Sequence, residues 1–147
     1  MKPIQHTWIS ACIGAGLGLW FKSWPASLMC LLSGVLIDLD HYVDYSIVKG
    51  EFPFRYKDLV DFCKNQRVGG LYIILHSFEF IIIFFILDYY YQFEVIWLCC
   101  AIGMAIHLLC DHLTNPVRPL AYFLTYRLYY SFRKKHLYKK EYYAKMY

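Results

Sequence analysis

The chain has 147 residues, a length that suits one domain, and a net charge of +4. Apolar residues make up 59%, aromatics 20% and charged residues only 18%, with a mean hydropathy of +0.35. Too few polar side chains remain to coat a soluble domain of this size, so the composition argues against one and points to a bilayer.

The first apolar run, about Thr7 to Phe21, carries Gly14, Gly16 and Gly18, small residues that let a second helix approach closely. It has the outline of a signal peptide. His6 sits where the apolar core should begin and no small-x-small site follows, so it reads as a retained helix. Ser23 and Pro25 form a helix start signal, and a second run follows from about Ala26 to Leu39. The polar stretch "EFPFRYKDLVDFCKNQRVGG" separates it from a third, about Leu71 to Tyr91. A fourth runs from about Val95 to Leu113 and is ended by "TNP". The six cysteines contain no CxxC, and five lie in apolar runs, where a free thiol behaves as a small hydrophobe.

The expected fold class is therefore all-α: an integral membrane four-helix bundle over residues 1–116, followed at 117–147 by a basic, aromatic-rich interfacial helix. Lys49, Arg55, Lys57, Lys64 and Arg67 fall between runs two and three. Arg118, Arg127, Arg133, Lys134, Lys135, Lys139, Lys140 and Lys145 follow run four. By the positive-inside rule both termini are cytoplasmic, in an inner membrane, with Lys22 the one dissenter. Trp20 and Trp24 suit the opposite interface.

On that topology the polar residues gather in one layer. His6 begins helix one; Asp38, Asp40 and His41 end helix two; His76 and Glu79 lie early in helix three; His107, Asp111 and His112 lie late in helix four. At about 1.5 Å per residue, all but Glu79 fall within roughly 10 Å of the cytoplasmic face. Asp38 and His41, His76 and Glu79, and His107 and Asp111 are spaced to share a helix face. Taken singly, Asp40, His41 and Asp44 also suit a solvated helix end, and His76 a hydrogen-bonded core position. Taken together they suit divalent metal ions, with zinc, iron, manganese and nickel all compatible with nitrogen and oxygen donors.

The residues resemble the small bacterial and archaeal membrane-bound metal-dependent hydrolases (YdjM-like). The likeness is carried by His6 before "IGAGLG", by Asp38, Asp40 and His41 in a "DxDH", by His76 and Ser77, and by His107 and Asp111 in an "HxxxD". It covers about residues 4 to 116. The family often writes "HRGxTHS" where this chain has "LHSFEF", so one histidine is missing and Glu79 is the candidate substitute.

The resemblance implies metal ligation by His6, Asp38, His41, His76, His107 and Asp111, with one to three ions per chain. Zinc leads, and manganese or iron are alternatives. Asp40 or Glu79 then serves as general base, bridging ligand or orienting carboxylate. The expected activity is hydrolysis of a phosphoester or related ester of a membrane lipid at the cytoplasmic interface. Arg118 and Arg127 are candidate phosphate contacts, and nucleic acid is not an expected partner. The alternative is a non-catalytic metal-binding scaffold, sensor or transporter; an iron-dependent lipid oxygenase ranks last.

Overall fold

Four helices begin the architecture: α1 (Pro3–Trp20), α2 (Trp24–Leu36), α5 (Phe78–Tyr91) and α6 (Val95–Thr114). They belong to one unit, made of the chain up to Ile37 together with Ser77–Asn115. In this computed structural model residues 3–65, 70–92 and 94–146 are described. Of the basic residues counted above, Arg67 and the side chains of Lys64 and Lys145 lie outside the described residues.

The helix ends follow local chemistry. Lys22, at φ 50°, turns the chain out of α1. The Ser23 hydroxyl then accepts the Ala26 N–H, and Pro25 occupies the first turn of α2. Gln92, at φ 47°, closes α5 by donating its N–H to the Asp88 carbonyl at 2.8 Å. Asn115 closes α6 on the Asp111 carbonyl at 2.8 Å, ahead of Pro116.

Within this unit α2 packs on both α1 and α6, and α5 packs on α6. Close approach is set by Gly34 and Gly103. A Cβ on Gly34 would run into the Ser10 hydroxyl, and one on Gly103 into the Cys30 carbonyl and the Ser33 hydroxyl. Small residues thus bring three backbones together, as in membrane helix pairs. Gly14 and Gly18 each lie against Ser27, whereas Gly16 faces open space. Ala26, Cys30 and Cys99 fill the remaining core. All six thiols are free.

The second unit comprises the described residues of Asp38–His76 and Pro116–Tyr147. It holds α3 (Asp40–Lys49), α4 (Tyr56–Asn65), a short 3-10 turn (Pro119–Tyr122), α7 (Leu124–Tyr129), α8 (Lys134–Leu137) and α9 (Lys140–Met146). Gly50, at φ 74°, ends α3 in the left-handed region that glycine tolerates. Tyr45, Leu59 and Phe62 join α3 to α4. Leu71, Ile73, Ala121 and Leu137 form a second small core. Among the described residues the extended pairings are two isolated bridges, Gly70 with Arg133 and Val117 with Tyr138.

The all-helical expectation agrees with the structure, but three details differ. Helix two does not stop at Leu39; a 3-10 turn (Ile37–Leu39) leads directly into α3. Helix three starts at Phe78 rather than Leu71, because the N–H groups of Tyr72 and His76 are taken by the Asp44 and Asp40 carboxylates. The C-terminal segment is not one interfacial helix. Pro119 and the positive φ of Ser131 and Phe132 divide it into short pieces that contribute to a core. Residues 38–76 fall in the same unit as this segment.

Two helical runs, Trp24–Lys49 and Val95–Thr114, are long and apolar enough to cross a membrane. Four were expected. At 14 residues α5 reaches only about 21 Å, and Gln5, His6, Thr7 and Ser10 dilute α1.

Candidate metal centre

In the first unit α6 carries His107 and Asp111 one turn apart, and α1 presents His6 to both. The three are 1%, 5% and 4% exposed, so their charges and lone pairs are out of water. The His6 and His107 rings stack with centroids 4.0 Å apart and planes at 19°. His6 Nε2 lies 3.1 Å from Asp111 Oδ1, and His107 Nε2 lies 3.7 Å from Asp111 Oδ2. One ligand atom from each residue falls within 4.8 Å of the other two.

The protons can be placed from the partners. His107 Nδ1 is 2.6 Å from the Gly34 carbonyl oxygen, which only accepts, so Nδ1 carries the hydrogen and donates. With Nδ1 so engaged, Nε2 is the ring nitrogen that faces the Asp111 carboxylate. A ring nitrogen and a carboxylate oxygen so placed are held together by a proton or by a metal ion between them. Donors bound at about 2.1 Å to one tetrahedral ion sit about 3.4 Å apart, and the 3.1 and 3.7 Å separations, one to each Asp111 oxygen, are of that order. His6 Nδ1 is buried with no hydrogen-bond partner among the described residues. This buried His/Asp group can hold a metal ion.

The second unit contains another nitrogen and oxygen set. His76, 1% exposed, lies not in α5 but in the irregular segment just before its Ser77 N-cap. The expected His76–Glu79 pair on one helix face is therefore absent. Asp40 Oδ2 accepts the His76 backbone N–H at 3.0 Å and its Nδ1–H at 3.2 Å. Its Nε2 lies 3.6 Å from Asp38 Oδ1. His41 Nε2 is 3.8 Å from the same oxygen, and the two rings are 5.1 Å apart. The Asp38 and His41 side chains are 28% and 30% exposed, so this group reaches solvent where the first does not.

The other candidates are scattered. Glu79 is half-buried in the first turn of α5, where exposed amides favour a carboxylate. His112, on α6, meets the edge of Phe78 at 6.2 Å. Arg118 gives its Nε–H to the Tyr138 carbonyl at 2.9 Å. Arg127 is completely buried and gives an Nη2–H to the His76 carbonyl at 2.8 Å.

Sequence reasoning gave no site role to three residues, of which Asp44 was read as a solvated helix end and Lys134 as a topology signal. Gly34 acts through its carbonyl, which no residue type signals. Asp44, 1% exposed, accepts the Tyr72 N–H at 2.7 Å. Lys134, 3% exposed, is a buried amine attracted by Asp44.

No family model matches the chain, and no curated protein or solved structure matches it either. The chemistry of the two donor groups therefore has to carry the functional reading.

Proposed function

We propose that the chain is a membrane-embedded metal-dependent hydrolase in which His6, His107 and Asp111 hold a divalent ion, zinc before manganese or iron. One observation carries this reading: the Gly34 carbonyl takes the His107 Nδ1 hydrogen, so that Nε2 is the nitrogen turned to the buried Asp111 carboxylate. A bound divalent ion supplies Lewis acidity toward water and toward a phosphoryl or acyl oxygen. Asp38, His41 and His76 supply further donors, and Asp40 keeps the His76 proton on Nδ1, which raises the basicity of Nε2. Glu79 and Asp40 are the carboxylates proposed to handle protons.

The likeness of His6, "DLDH", His76 and "HxxxD" to the membrane-bound metal-dependent hydrolases supports hydrolysis. Exposed apolar side chains support a bilayer setting: Trp24, Leu28, Leu32 and Leu36 recur every fourth residue on α2, and Trp8, Leu19 and Trp20 stand out on α1. On this reading α1, α2, α5 and α6 form the membrane bundle, both termini are cytoplasmic, and the substrate is a phosphoester or related ester of a lipid. Arg118 remains a phosphate contact in the proposal.

A second reading, a non-catalytic metal protein, is favoured by the depth of His6, His107 and Asp111, none more than 5% exposed. The test is to purify the chain in detergent, count metals per chain, and assay a panel of phospholipids and polyprenyl phosphates. Bound divalent metal with turnover that His107→Ala abolishes is the expected result. Metal without turnover moves the assignment to the second reading. A metal-free protein overturns both.

A further inference from the structure

The backbone leading to His76 is held by side chains distant in sequence. Asp44 takes the Tyr72 N–H and Asp40 takes the His76 N–H. From the C-terminal segment, the Phe132 carbonyl accepts the Leu71 N–H at 3.0 Å, and Arg127 donates to the His76 carbonyl at 2.8 Å. Both polar backbone groups of His76 are therefore engaged by ionic side chains, whose hydrogen bonds are roughly twice as strong as neutral ones. A guanidinium wholly out of water is costly unless it is matched. Neutral donors would satisfy one carbonyl more cheaply, so the arginine marks a position that needs to be fixed.

We propose that Arg127 is a positioning residue for His76. Held between Asp40 at its amide and Arg127 at its carbonyl, residue 76 has little freedom to turn, and its imidazole Nε2 stays directed at Asp38 Oδ1. The C-terminal segment is then part of the frame of the donor group. This inference rests on the reading of His76 as a metal donor.

The test uses the full chain in detergent, cobalt(II) titration followed by visible absorption, and hydrogen exchange read by mass spectrometry. Arg127→Met is expected to weaken cobalt binding about 10-fold or more, the range for lost outer-sphere support. Arg127→Lys, which keeps a charged donor, is expected to recover much of that loss. In a His76→Ala background Arg127→Met should have no further effect, because a positioning residue acts only through the group it positions. Exchange should speed up over Leu71–Ser77 while α6 stays unchanged.

Equal losses in both backgrounds would assign Arg127 a general folding role and overturn the proposal, as would unchanged binding and exchange. If the wild-type chain binds no cobalt, the metal reading fails, and exchange alone decides the positioning. Selective loosening of Leu71–Ser77 upholds it and its absence overturns it. Should Arg127→Met not fold, Arg127→Lys carries the same comparison with a smaller effect.

Discussion

His107 and His76 are both buried imidazoles with the proton held on Nδ1, but different parts of the chain hold them. His107 rides on a 20-residue helix and donates to a main-chain carbonyl, Gly34 O, whose place is set by glycine-mediated helix contacts. His76 sits in an irregular segment and donates to a carboxylate, Asp40, which also holds its backbone. The first arrangement depends on packing and the second on charge. Substitutions that disturb close contact should therefore damage one, and substitutions that remove charge the other.

The largest expected effect is His107→Ala. It removes a donor and leaves the buried Gly34 carbonyl without its partner, which costs about 1–3 kcal/mol of stability. Metal affinity of the first group should fall by more than about 100-fold, read by cobalt titration. Next comes Asp40→Asn, which keeps the shape and removes the charge. About 10- to 100-fold weaker binding at the His76 group is expected, with no change in the helical signal by circular dichroism.

A pH series sharpens the contrast further. Burial pushes the Lys134 amine from its usual 10.5 down to about 8, against the pull of Asp44. Between those values the unfolded chain binds more protons than the folded one, so stability should rise with pH across that window. The rise is on the order of 1–3 kcal/mol, and Lys134→Met should flatten it in thermal unfolding. Two glycines of the first unit give one effect of similar size and then the smallest. Gly103→Ala forces a methyl onto the Cys30 carbonyl and should cost about 1–3 kcal/mol. Gly16→Ala meets nothing and should stabilise by about 0.5–1 kcal/mol.

What was legible in the sequence followed local chemistry. Apolar runs with Ser23, Pro25 and Pro116 at their ends marked α1, α2 and α6, and the four-residue spacing of His107 and Asp111 put them on one face. The start of α5 was not legible, because its cause is remote: Asp40 and Asp44 claim amides 36 and 28 residues away. The run "LYIILHSF" has the apolar content of a helix and gives no sign of this competition. Arg127 misled for a related reason. Basic residues among tyrosines suit a membrane surface, and only the tertiary fold buries this one against His76. The long polar stretch after α3 hid α4, whose Leu59 and Phe62 face Tyr45.

Counting divalent metal in the purified chain, before and after dialysis against a mild chelator, tests the central claim most directly. The expected result is close to one or more retained ions per wild-type chain and clear depletion in His107→Ala. A chain that stays metal-free when offered zinc, with unchanged helicity and unfolding temperature, would contradict it.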